Sequence, residues 1–151
     1  MRLALEQAAQ GAAAGEVPIG AVLVHEGTII ARSHNHREAR QDPTAHAELI
    51  VIREGAKALA RWRLVDTALF VTLEPCAMCL GAIILARIPR LIFGATDPKG
   101  GACGSVLDFA NDPRLNHRIE VLGGVLGEES QRMLARFFKG LRAQQPDCRT
   151  S

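Results

Sequence analysis

Two cysteines three residues apart stand directly behind a strand-ending proline, in the stretch TALFVTLEPCAMCLGAIILA over residues 67–86. No other segment constrains the fold as much. Residues 67–73 are β-rich and are ended by Pro75, which cannot donate to a ladder, while Cys76 to Ala86 reads as a helix with proline near its first turn. Within a helical first turn both sulfurs can face one point, and the partial positive charge of a helix N-terminus favours thiolate over thiol. The junction is half of a metal site. Alone, a C-x-x-C pair is also compatible with redox chemistry or an incomplete metal site.

The other half lies upstream. Asp42-Pro43-Thr44 is a turn with N-capping oxygens, and Ala45 to Leu59 reads as a helix with Leu49, Ile52 and Ala56 on one side. His46 and Glu48 sit at its start. A histidine with two cysteines makes a three-ligand zinc site with one open position for a water, whose pKa the metal lowers toward neutrality. Glu48 is about 200° around an ideal helix from His46, so it is poorly placed for the same metal and better used as a proton shuttle. Taken singly, His46 reads as a surface histidine and Glu48 as a solvated helix carboxylate. Jointly, H-x-E…P-C-x-x-C is the signature of zinc nucleobase deaminases.

The surrounding chain reads as one unit. Its 151 residues suit one domain, with no internal repeat. Residues 1–14 carry a helical stripe of Leu5, Ala8, Ala9 and Ala12 stopped by Gly15, and residues 19–24 and 28–33 form a hairpin around His25, Glu26 and Gly27. Further strands are expected at 90–94 and 118–122, and a last helix from Glu128 to about Arg142. Helical segments between the later strands predict that the third and fourth run parallel through a crossover. The expected fold class is α/β: a mixed sheet with helices on both faces, a domain over 1–143 and a polar tail over 144–151. Gly140 and Pro146 predict early fraying of the last helix.

Charge and composition restrict the partners. A net charge of +2 on 18 basic and 16 acidic residues excludes a broad polyanion-binding face. With 4% aromatics, one tryptophan and no tyrosine, a row of stacking rings is excluded too. Any nucleic-acid surface must be local. No apolar run approaches the ~20 residues of a membrane helix, the N-terminus lacks the apolar centre of a signal peptide, and the cysteine spacing suits a reducing compartment. A cytoplasmic location is expected, with Cys103 a small packed residue and Cys148 an exposed tail thiol.

Five segments, two of them carrying the zinc motif, resemble the cytidine/deoxycytidylate deaminase superfamily, and more narrowly its bacterial branch acting on tRNA adenosine. The segments are EVPIGAVLV (16–24), DPTAHAE (42–48), TLEPCAMCLGAI (72–83), RIPRLIFGATDPKGGACGS (87–105) and LNHRIEV (115–121), within a resemblance spanning about residues 2–142. The resemblance implies a cytidine deaminase-like, three-layer α/β/α sandwich on a five-stranded mixed sheet. It implies one Zn2+ per subunit on His46, Cys76 and Cys79, with Glu48 as acid and base. It implies Asn35 on the target base, and Ile19, Ala47, Leu73 and Pro75 around the pocket. It puts the loop from Asp97 to Ser105, with Lys99, toward RNA. Asn116 and His117 are implied near flanking nucleotides, and Phe138, Lys139 and Arg142 on the last helix as substrate contacts. The implied activity is hydrolytic deamination of the wobble adenosine of an arginine tRNA anticodon stem-loop to inosine, by a homodimer. Loop bases can be splayed out without the unpairing cost of a duplex.

Read from the residues alone, Asn35 is equally a turn asparagine, the 97–105 loop a flexible glycine-rich turn, and Asn116 and His117 a polar strand start. Two other functions stay open. One is a deaminase of a free base, guanine or cytosine; the other is a zinc-stabilised RNA-binding module without chemistry. A thioredoxin-like redox role gives Pro75 and His46 no required place.

Overall fold

The computed structural model describes residues 1–144, so the expected tail past Gln144, with Cys148, lies outside the described residues. The elements are α1 (Arg2–Ala13), β1 (Gly20–His25), β2 (Thr28–His34), α2 (Arg37–Arg40), α3 (Ala47–Ala58), β3 (Thr67–Leu73), α4 (Ala77–Leu85), β4 (Arg90–Ala95), β5 (Glu120–Leu122) and α5 (Gly127–Gln144). Glu26 and Gly27 both take positive φ, 47° and 77°, which makes the two-residue turn whose twist matches a hairpin. The connection is one residue tighter than the sequence suggested, because His25 still pairs with Thr28.

The sheet has five strands in the order β2-β1-β3-β4-β5. β1 is antiparallel to β2 and β3, whereas β3, β4 and β5 run parallel, with α4 crossing between β3 and β4 as expected. Helices α1 and α5 pack together on one face, and α3 and α4 on the other. β3 is buried along most of its length, and Leu69, Val71, Leu80, Ile83 and Leu91 join one core with Leu23 and Val51. Among the described residues, no helix is long and apolar enough to cross a membrane.

Several details differ from the periodicity reading. The buried stripe of α1 is Ala4, Leu5, Gln7, Ala8 and Gly11, while Ala9 is exposed and Ala12 half-buried. The reason is Gly20: its missing side chain lets β1 approach the backbone of Ala4 and Ala8, which turns that face inward. α5 is helical through Gly140 to Gln144, past the Arg142 that the sequence suggested, because one exposed glycine costs about 1 kcal/mol, which an amphipathic helix packed on β3 and β4 absorbs. α3 begins at Ala47 and α4 at Ala77, so His46 and Cys76 are N-cap residues with extended backbones. β5 covers only three residues, because its pairing extends only from Arg90 to Ile92 of β4.

Candidate active site

Two helices start at one place, and their first residues carry the chemistry. His46 caps α3, Cys76 caps α4, and Cys79 lies one turn into α4. The Sγ of Cys76 is 3.8 Å and that of Cys79 3.5 Å from His46 Nδ1, and the donor atoms all lie within 4.8 Å of one another. One imidazole nitrogen and two sulfurs converging in this way form the donor set zinc takes. Proton sharing fits the same reading. The hydrogen bond from Cys79, joined by that of His46, outweighs burial and lowers the Cys76 thiol to about 4. Cys79 is pushed up because it donates to Cys76 and is buried, and His46 is raised chiefly by its bond to Cys76. His46, Cys76 and Cys79 would hold a cation in place of those shared protons.

Glu48 lies in the first turn of α3 and is buried, 4% exposed. Its Oε2 is the one buried side-chain nitrogen or oxygen without a hydrogen-bond partner among the described residues. Burial pushes its carboxyl up to about 6. It is not one of the three converging donors. An orphaned acid beside three metal donors is poised to exchange a proton with something that enters the site.

Asn35, also buried, follows the end of β2, and its Oδ1 accepts the Ala47 amide at 3.0 Å, capping α3. The Asn35 amide donates to the Ile19 carbonyl at 3.1 Å, which brings Ile19, Asn35 and Ala47 together next to His46. Both readings of this asparagine are thus compatible, because the cap uses only its side-chain oxygen. Leu73 ends β3 half-buried, and Pro75 is buried. Asp97 and Lys99 line a cavity of about 320 Å³ together with Val17, Leu73, Leu134 and Phe138. Asn116 and His117 are not gathered there. Asn116 accepts a bond from Arg87 at 2.7 Å and His117 contacts the Ile88 carbonyl at 2.7 Å, both at the far end of α4. Lys139 and Arg142 are exposed on α5, and Cys103 is half-buried with its thiol pushed up to about 12 by burial.

Two buried acids went unread in the sequence. Glu16, 1% exposed, accepts the amides of Glu38 at 3.2 Å and Ala39 at 2.8 Å, and so anchors α2 beside Asn35. Glu74, 2% exposed, accepts backbone amides from the 97–105 loop. Burial works against its charge, but hydrogen bonds from Ser105, Asp97 and Cys103 hold it below the ordinary carboxylate range. The available signal was an acid at the end of an apolar strand with no basic residue beside it. A separate cleft of about 620 Å³ lies between α1 and α5, and its lining, which includes Ala9, Glu129, Arg132, Met133 and Phe137, holds no metal-ligand set among the described residues.

Comparison with known proteins follows the same chemistry. The family model for MafB19-like deaminases matches residues 1–142. A tRNA-specific adenosine deaminase from Bacillus subtilis is 50% identical over 149 residues, 99% of this chain and 92% of the relative. One from Haemophilus influenzae is 50% identical over 145 residues, 95% of this chain and 84% of the relative. A structure from a study of A-to-I editing by tRNA deaminases at the wobble position matches with a TM-score of 0.86 at 49% identity, covering 89% of this chain and 97% of that one. A guanine deaminase from Nitrosomonas europaea, at 22% identity and a TM-score of 0.74 over 89% of this chain and 80% of that one, shares the fold.

Proposed function

The chain belongs to the tRNA-specific adenosine deaminase family, and on that premise we propose that it converts the wobble adenosine of an arginine tRNA anticodon loop to inosine, releasing ammonia. It works as a cytoplasmic homodimer with one zinc per subunit, held by His46, Cys76 and Cys79. The observation that carries the reading is the buried, unpartnered Glu48 Oε2 beside three converging metal donors. When bound, zinc supplies Lewis-acid chemistry that makes water a competent nucleophile at neutral pH.

The chain's own residues do the rest. Glu48 takes a proton at Oε2 and returns it to the departing amino group, and a carboxyl titrating near 6 suits both halves of that exchange. Asn35 offers Nδ2 to the base while its oxygen fixes the start of α3, so base contact and the position of His46 share one side chain. Ile19, Ala47, Leu73 and Pro75 shape the pocket and exclude water from it. Asp97, Lys99 and Phe138, which line one cavity, meet the neighbouring nucleotides, and Arg142, exposed on α5, extends the contact surface.

Incubation with an arginine anticodon stem-loop, with free guanine and with free cytosine tests the reading by inosine and ammonia release. Inosine from the stem-loop alone is expected. Ammonia from a free base with no inosine in RNA would overturn it in favour of a nucleobase deaminase. Chelation should abolish turnover and zinc should restore it.

A further inference from the structure

Glu74 ends the strand that delivers the cysteines, and its partners all come from the loop opposite. Its carboxylate accepts the amides of Asp97 at 2.9 Å, Cys103 at 2.9 Å and Ser105 at 3.2 Å, and also the Ser105 hydroxyl. No lysine, arginine or histidine is among these partners, so a buried charge depends on loop donors alone. Burying a carboxylate is costly unless it is hydrogen-bonded, and the charge therefore favours the one loop conformation that points these donors inward. The backbone closes the same contact from both sides. The Ala102 amide donates to the Pro75 carbonyl at 2.9 Å, the Glu74 amide to the Ala95 carbonyl at 2.8 Å, and Cys76 and Gly101 form an antiparallel bridge. Gly101 packs so closely on the carboxylate that any side chain there would collide with it.

The loop held in this way begins with two residues of the RNA-facing surface. Asp97 receives the Lys99 amide on Oδ1 at 3.0 Å and the Gly101 amide on its carbonyl at 2.9 Å, and both Asp97 and Lys99 line the cavity next to Leu73. Cys76 has a separate anchor, because its carbonyl accepts the Leu80 amide at 2.9 Å within α4. We propose that Glu74 is a positioning residue that clamps the 97–105 loop to the cysteine turn and so sets Asp97 and Lys99 for the RNA. The metal donors remain where the starts of α3 and α4 hold them. This role rests on the deaminase reading of the site.

Replacing the carboxylate by the isosteric amide tests the clamp. In E74Q an NH2 group faces backbone N–H donors, so part of the clamp is lost without a change of volume. Amide exchange at 101–105 should accelerate on the order of tenfold or more while that of 67–73 is unchanged. KM for the arginine anticodon stem-loop should rise on the order of tenfold, with kcat within about twofold and zinc content unchanged. Ser105→Ala, at an exposed residue, removes one donor and should produce the same pattern more weakly. Unchanged loop exchange in E74Q would overturn the proposal, and so would a fall in kcat at constant KM. If the unaltered enzyme leaves the stem-loop intact, the deaminase reading fails on its own, and loop exchange still decides whether Glu74 is the clamp.

Discussion

In the proposed function Glu48 and Asn35 each carry a chemical task from a buried position, and substitution separates chemistry from stability. In the metal-free protein the Glu48 carboxyl titrates near 6 against an ordinary value of 4.5, because burial disfavours its charge. A raised folded value means the stabilising contribution is complete below 4.5 and is lost as pH rises through about 6. Glu48→Gln removes that ionisation, so the metal-free variant should gain on the metal-free parent between pH 5 and 7 in denaturant midpoint. Loaded with zinc, the same variant should keep its metal and lose turnover; retained turnover would sink the proton-shuttle role. Asn35 separates by atom. Asn35→Asp keeps the oxygen that caps α3 and should melt close to the parent, yet lose on the order of a hundredfold in kcat/KM because the donor to the base is gone. Asn35→Ala loses the cap as well, about 1 kcal/mol of stability. Equal activity in N35D and the parent enzyme would assign this residue to capping alone.

The elements explain why periodicity located most of the fold and misplaced one face. The strand runs, the C-x-x-C helix and the parallel crossover are local patterns, and each is visible in apolar alternation or in turn residues. The inward face of α1 is not local. It depends on a glycine on another element, Gly20, where an added Cβ would strike the Ala4 carbonyl and the Ala8 amide. Gly20→Ala should therefore push α1 off the sheet and cost roughly 1–3 kcal/mol, read as a lower melting temperature. Gly81→Ala is the control, since a Cβ there meets nothing within 4 Å and α4 gains a better helix former. A similar drop in both would show that close approach is not what sets α1. The four-residue α2 has too few positions to show a period, and it is held instead by Glu16, more than twenty residues upstream.

At the scale of the whole molecule, the readable part of the site is the part whose chemistry is encoded within a few residues. His46, Glu48, Cys76 and Cys79 announce themselves by type and spacing, and the fold then brings the three donors within 4.8 Å. Glu74 announces little beyond its place after an apolar strand, because three of its donors are backbone amides 23 to 31 positions away that any sequence could supply, joined by the Ser105 hydroxyl. The near-neutral charge of +2 takes on a narrower meaning beside this geometry. It leaves no broad basic face, but it allows a few cations around one pocket, with Lys99 on the cavity wall and Arg37 and Arg40 exposed on α2 beside Asn35. An anticodon loop presents single-stranded phosphates, each neutralised contact contributing about −0.7 to the slope of log affinity against log salt. Three or four such contacts predict a slope of about −2 to −3 for stem-loop binding. Titrating the zinc-loaded protein with the stem-loop at several salt concentrations measures it. A slope near zero would remove the phosphate contacts, and one steeper than about −6 would require the extended basic surface that composition excludes.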